Sequence, residues 1–398
     1  MSHHDIGERL KRARKHSGLT RRGLAEASGV SVSLIRKLEQ GERTDTRLET
    51  ARRLASALHI PTTRLISGEA GDAEPAHGAE ADTWARVHDA LTGQGIGGAT
   101  EEPTLDGVRV GLDNAISAYA DGNLDMLSHI LPPLLRDAHD LAAVHPHGRS
   151  VRAEIMQITG RLMVQTRNYS LAEQAFTVVE RDAPTAVHGA ALANHRVWLL
   201  LRRGRLAEAA ALSIQWADDL EPRLSQATAG ELSAWGWMLL RVAATASRDN
   251  RPDEADMALR LATAAAATMG RTPTSAAVRR AGFIRRFSRL TVAMQQAEQA
   301  MVEERPAAVL RIAKMIDAKR LSPSTGNRNR HLLDVAHAQV LTRRHADAFD
   351  TLLTLEREAP QWLPHQRYAR DVLGLIIDRR RTLTSDMHRL AQVVRLPL

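Results

Sequence analysis

The chain has 398 residues, more than one hydrophobic core usually organises, and its 43% hydrophobic content with only 3% aromatics favours helices over aromatic-rich sandwiches. Cysteine is absent, which excludes disulfides, thiolate metal sites and cysteine nucleophiles and fits a reducing, cytoplasmic compartment; no leader-like run opens the chain, and no stretch approaches the roughly 18 apolar residues that span a bilayer. The net charge of +8 is uneven: residues 1–68 hold 14 Lys/Arg against 7 acids, whereas residues 69–106 hold Arg86 against 9 acids, the pattern of a polyanion-binding head joined by an acidic strip to a body.

From Ile6 to Ser67 the sequence predicts five short helical segments. Ile6, Leu10 and Ala13 recur at helical spacing until Gly18 ends the segment, and Thr20 caps the next, which runs through Leu24 and Ala25. Ser28, Gly29 and Val30 supply a tight turn. Ser31 caps a third helix whose Ile35 and Leu38 face inward, and Gly41 stops it by tolerating positive φ. Thr46 followed by Glu49 reads as a capping box opening a fourth helix through Leu48, Ala51, Leu54, Ala55 and Leu58, and Pro61 introduces a last turn ending at Leu65.

The stretch Thr20-Arg-Arg-Gly-Leu-Ala-Glu-Ala-Ser-Gly-Val-Ser-Val-Ser-Leu-Ile-Arg-Lys-Leu-Glu-Gln-Gly41 resembles the helix-turn-helix of the phage-repressor (Cro/C1, or XRE) family. Ala25 is small where two helices cross, Gly29 makes the turn, and Ile35 and Leu38 seat the second helix on the first. The resemblance implies a DNA-binding domain over 1–68 whose Ser31 to Gln40 helix enters the major groove. On that reading Ser31, Val32, Ser33, Arg36 and Lys37 meet base edges, and Thr20, Arg21, Arg22, Gln40 and Arg43 meet phosphates. It also implies a partly buried ion pair between Arg14 and Glu39. Arg21 departs from the family, which commonly has Gln there.

Residues 67–82 carry no large apolar side chain and read as a flexible linker; a short helix around Trp84 to Leu91 and a Gly-rich stretch, 93–100, complete an acidic connection over 69–104. From Leu105 to the end the chain reads as helical pairs. The second helix of each opens with a related phrase ending in Ala172, Ala209, Ala255, Val309 and Phe349, at spacings of 37, 46, 54 and 40 residues, with Phe176, Ser213, Leu259, Ala313 and Leu353 one turn on. This resembles tetratricopeptide repeats, which implies a right-handed α-solenoid over 105–398. Asn194, Trp198 and Arg202, with Trp237 and Arg241, form stripes on two first helices that fit an extended peptide or small-molecule ligand, the alternative being inter-helix core.

Other constellations carry less. His145 and His147 lack the helical spacing of a zinc pair and read as surface residues. Arg279, Arg280, Arg285, Arg286 and Arg289 read as a solvated face over Phe283, Ile284 and Phe287, with a second phosphate patch as the alternative. No phosphate-binding glycine loop and no nucleophile–base arrangement is present, so neither enzymatic activity, metal nor cofactor is expected. The combined expectation is an all-α transcription regulator similar to the peptide-responsive (RRNPP-type) quorum-sensing proteins of bacteria, dimeric through its body and bound to double-stranded DNA at an inverted repeat. The alternative is an interaction scaffold whose body docks a partner protein and whose head tethers it to DNA.

Overall fold

The computed structural model describes residues 6–66, 78–92, 102–182, 186–269, 287–316 and 325–398. Every regular element among them is a helix: α1 (Ile6–His16), α2 (Arg21–Ser28), α3 (Val32–Glu39), α4 (Leu48–Ala57), a 3-10 turn (Thr62–Arg64), α5 (Gly78–Thr92), α6 (Leu105–Asp121), α7 (Leu124–Val144), α8 (Gly148–Gln165), α9 (Tyr169–Asp182), α10 (Ala186–Arg202), α11 (Leu206–Asp219), α12 (Ala229–Arg248), α13 (Pro252–Met269), α14 (Arg289–Val302), α15 (Pro306–Met315), α16 (Thr325–Leu341), α17 (His345–Glu358), a 3-10 turn (Leu363–His365), α18 (Arg367–Ile377) and α19 (Ser385–Val393). The described residues fall into two compact units, one within 1–75 and 193–272, the other within 76–192 and 273–398. No described helix is long and apolar enough to cross a membrane.

In the first unit α1 to α4 enclose a core of Leu10, Leu24, Ile35, Leu38 and Leu54, all fully buried. Turn chemistry sets the corners. Gly18, Gly29 and Gly41 all have positive φ, and the Thr20 and Ser31 hydroxyls accept from the backbone N–H groups of Gly23 and Leu34. The expected capping box at Thr46 does not form. Extended Arg47 takes the N-cap of α4 with no side-chain cap bond, Thr46 is buried before it, and Glu49 instead lies 3.7 Å from Arg52. Gly7 is the contact point of α1 and α3: a Cβ there would overlap the backbone carbonyl of Leu38.

In the second unit α5 is longer than the helix expected around Trp84 to Leu91. It buries Trp84, Val87 and Ala90 and packs on α7, so part of the acidic connection belongs to a folded core, while 67–77 and 93–101 lie outside the described residues. In the same unit α6 to α9 and α14 to α19 each pack on their successors, and α14, α16 and α18 also meet as next-but-one neighbours. Of the arginine cluster near 279–289, only Arg289 is described, at the start of α14 beside a fully buried Phe287.

Among the described residues, six helix-to-helix turns share one construction. Gly122, Arg167, Gly204, Asn250, Glu304 and Arg343 all have φ between 56° and 72°. The N–H of the next residue donates to a carbonyl five positions back: Asn123 to Ala118, Asn168 to Met163, Arg205 to Leu200, Arg251 to Ala246, Arg305 to Ala300 and Arg344 to Gln339, at 2.8 or 2.9 Å. Five residues beyond each left-handed residue stands a small or aliphatic side chain with no exposure: Leu127, Ala172, Ala209, Ala255, Val309 and Ala348. The turn therefore corrects the register read from sequence in the last of these hairpins, where Ala348 and Leu352, not Phe349 and Leu353, take the inner positions. It also adds the Gly122 hairpin, which the phrase did not pick out.

Left-handed backbone costs a side-chain-bearing residue about 1 kcal/mol or more, and Arg343 is exposed. Arg343→Gly is expected to stabilise the second unit by about 0.5–1 kcal/mol, measured as a higher denaturant midpoint with unchanged slope. Gly7→Ala is expected to act oppositely. Although alanine is the better helix former by about 1 kcal/mol, overlap with the α3 backbone makes a net loss of about 1–3 kcal/mol in the head, read by amide exchange over residues 6–66.

Candidate nucleic-acid interface

The candidate site is α3 and the ends of the helices around it. Burial divides α3 cleanly. Ile35, Leu38 and Glu39 point inward, Leu34 is half-buried, and Ser31, Val32, Ser33, Arg36, Lys37 and Gln40 are exposed. The spacing of Ser33, Arg36, Lys37 and Gln40 places them on one helical face. Val32 is an exposed apolar residue in the first turn. Such a face offers a hydroxyl, a methyl-contacting surface and two cations, the groups that read hydrogen-bond patterns and thymine methyls in a major groove.

What holds α3 in this pose is a buried carboxylate. The Glu39 side chain is wholly removed from solvent and receives two hydrogen bonds from Arg14, Nε to Oε1 at 2.6 Å and Nη2 to Oε2 at 2.9 Å. The pair expected from sequence is therefore present. Arg14 Nη1 also donates to the Leu19 carbonyl at 2.8 Å, tying the α1–α2 connection to the same group. Arg21 joins from α2, its Nε donating to Glu39 Oε2 at 2.7 Å. Burial alone pushes the Glu39 carboxyl upward; the hydrogen bonds and charges of Arg14 and Arg21 outweigh it and hold the group below the usual carboxylate range.

The expected phosphate-contacting residues fall into two groups. Thr20, Gln40 and Arg43 sit exposed at helix ends: Thr20 is the N-cap of α2, Gln40 closes α3, and Arg43 Nε donates to the Asp45 carbonyl at 3.1 Å. Arg22 is exposed on α2, 3.2 Å from Glu26. Arg21 differs, because its Nε is committed to Glu39 and its side chain is only 39% exposed. It braces α2 against α3.

The stripes on α10 and α12 come together in part. Arg241 Nε donates to Asn194 Oδ1 at 2.7 Å, and the guanidinium carbon lies 6.0 Å from the Trp237 ring centroid. Asn194 and Trp237 are buried, while Trp198 and Arg202 are half-buried along α10. The Asn194 amide oxygen is thus already engaged within the protein. His145 and His147 form a local turn contact, the His147 N–H donating to His145 Nδ1 at 3.1 Å. Sequence reasoning missed Gly7, and nothing local in the sequence pointed to the contacts of Thr62 and Thr63 with Arg248, Asp249 and Asn250. A glycine inside an otherwise good helix former was the one available signal for Gly7.

Residues 10–65 match the family model described as Helix-turn-helix. No curated protein matches the chain. A helix-turn-helix domain of the XRE type thus occupies the N-terminal segment, and the described remainder is all-helical.

Removing the charge of Glu39 leaves two arginines around a buried neutral group. Glu39→Gln is expected to destabilise the head by about 3 kcal/mol, seen as faster amide exchange in α1 to α3. Because the folded carboxyl titrates below its unfolded value of about 4.3, its contribution is fully present at neutral pH and is lost as pH falls from there through the lowered value. The wild-type head should therefore loosen below about pH 4, and the Gln variant should lack that part of the pH dependence.

Proposed function

We propose that the protein is a sequence-specific transcription regulator that binds an inverted-repeat DNA site as a dimer, with the helical body sensing a peptide or small molecule. The observation that carries the reading is the division of α3, whose inner face is locked by Ile35, Leu38 and the Arg14–Glu39–Arg21 group while Val32, Ser33, Arg36 and Lys37 stand exposed. The family match over residues 10–65 supports the same assignment. Base edges fall to Ser31, Val32, Ser33, Arg36 and Lys37; phosphates fall to Thr20, Arg22, Gln40 and Arg43, with Arg21 in a bracing role.

One head offers a small interface, so two heads on half-sites roughly 34–36 Å apart supply useful affinity and specificity. The body is the source of dimerisation and of sensing in this reading, and its repeated hairpin turn supports a tetratricopeptide-like architecture. The stripe of Asn194, Trp237 and Arg241 is the proposed ligand-responsive element, by analogy with peptide-responsive regulators of the same general plan.

The test is selection of a duplex from a random pool by the full chain, followed by binding of variants. Arg36→Ala is expected to relax discrimination at one base pair by about 1–3 kcal/mol, whereas Arg22→Ala should weaken all duplexes alike and reduce the salt slope by about 1. Equal losses by both variants on selected and random duplexes would overturn the assignment. Failure of the pool to yield any dyad-symmetric sequence would remove the dimeric part.

A further inference from the structure

The head is joined to α12 and α13 by a second set of contacts far from it in sequence. The Thr62 hydroxyl donates to the Arg248 carbonyl at 2.7 Å. The Thr63 backbone N–H donates to Asp249 Oδ1 at 2.8 Å and its hydroxyl to Oδ2 at 3.3 Å, while Arg251 Nε holds the same carboxylate at 3.0 Å. Asn250 reaches further into the head. Its amide nitrogen lies 3.3 Å from the Arg52 carbonyl, 3.5 Å from that of Ile60 and 3.3 Å from Thr62 Oγ1, and its oxygen accepts from Arg52 Nη1 at 3.4 Å. Thr62 and Asp249 are buried. Leu206, the first residue of α11, is part of the head's hydrophobic core, and Leu201 packs against it.

The identity of residue 250 is informative. The hairpin needs a left-handed residue at that position, and glycine serves the backbone best, as at Gly204 one hairpin earlier in the same unit. Asparagine also tolerates this conformation, and it brings an amide that can donate and accept at once. At this turn that amide is used on both Arg52 and Thr62. The turn is therefore both a hairpin corner and a socket for Arg52 of α4 and the 3-10 turn at Thr62 and Thr63.

The helix that ends in this socket bears part of the sensing stripe, and α10, which leads to the head's core at Leu206, bears the rest. α12 carries Trp237 and Arg241 and ends at Arg248; α10 carries Asn194 and leads through Gly204 to Leu206. Arg241 lies seven residues before Arg248, about 10 Å along one helix, which transmits a displacement as a rod. We propose that the α12–α13 turn is a latch that carries the head on α12, so that the pose of α3 follows the packing of α12 against α10. The latch stands on the hydrogen bonds above; its regulatory meaning rests on the proposed reading of Asn194, Trp237 and Arg241 as the sensing stripe. In this form ligand occupancy that breaks or remakes the Asn194–Arg241 bond re-aims the head, with differential contacts at one site biasing the geometry of another.

The chain has no cysteine, so paired spin labels can be placed in the full-length protein without removing native residues. Lys15→Cys on α1 and Met257→Cys on α13, both exposed, report the distance from head to platform. The latch predicts one narrow distance distribution in the absence of DNA. Asn250→Gly, which keeps the left-handed turn but deletes the amide, should broaden it and speed exchange of the Thr63 amide by about tenfold. Thr62→Val, made on the opposite side of the contact, should do the same and serves if the first variant does not fold. A broad distribution in the unaltered platform, or a narrow one retained in both variants, overturns the latch. Arg241→Ala should shift the mean distance with the latch intact and should not shift it in Asn250→Gly; an unmoved distance in the intact protein overturns the coupling. Binding to the selected duplex is measured in parallel. In the unaltered platform, a broad distribution with DNA binding retained sinks the latch alone, and a narrow distribution without DNA binding sinks the regulator reading alone.

Discussion

The Glu39 carboxylate has no access to water, and an ionised group in that position is sustained only by partners that replace its hydration. Arg14 and Arg21 do so from two different helices, and Arg14 adds the Leu19 carbonyl between them. One buried charge thereby fixes α1, α2 and α3 relative to one another. Because the group sits at the C-terminal end of α3 on its inner face, the outer face is left to Ser33, Arg36 and Lys37 without competing contacts from the head's core. The Gly7 contact makes this arrangement tight, since α1 approaches the backbone of α3 itself. On the proposed reading, a helix that discriminates bases must be held in a defined pose, and this network supplies that pose for α3.

A second constraint organises the rest of the chain. Helix pairs that turn through a single left-handed residue repeat the same backbone path whatever the side chains, provided a small or aliphatic residue falls five positions later, where the helices come together. Four of the six turns use Arg, Asn or Glu in place of glycine, each accepting backbone strain. At Asn250 the accepted strain coincides with side-chain bonds to the head, which makes that turn a junction as well as a corner. The unit that holds the helix-turn-helix segment therefore includes α11 to α13 and most of α10 as its platform.

Much of the head was legible because its signals are local. Thr20, Ser31, Gly18, Gly29 and Gly41 act through backbone geometry within a few residues of themselves, and the inward pair Ile35 and Leu38 follows from helical spacing. The Arg14–Glu39 pair came with the family resemblance. What escaped was set by distance along the chain or by competition. The brace from Arg21 to Glu39 escaped because nothing in the neighbourhood of Arg21 announces that a carboxylate 18 residues on takes its Nε. Thr46 and Glu49 have the letters of a capping box, yet the helix starts at Leu48, two residues after Thr46, so the hydroxyl has no helix end to cap. Phe349 was placed one position off because a phrase of small residues slides easily; the left-handed residue that fixes the frame there is an arginine, which carries no turn signal. The socket for Thr62 and Thr63 joins residues about 186 positions apart, a separation that pattern reading cannot bridge.

The most direct test of the account is a disulfide-trapping measurement on a selected duplex whose bases carry a thiol tether in the major groove. The natural chain contributes no cysteine of its own, so Ser33→Cys in the full-length protein gives a single attachment point on the outer face of α3. The account predicts rapid, position-specific trapping by Ser33→Cys and none by Lys15→Cys on α1. Trapping by Lys15→Cys with Ser33→Cys inert, or none by either on a duplex the protein binds, would contradict the claim that α3 is the element that reads DNA.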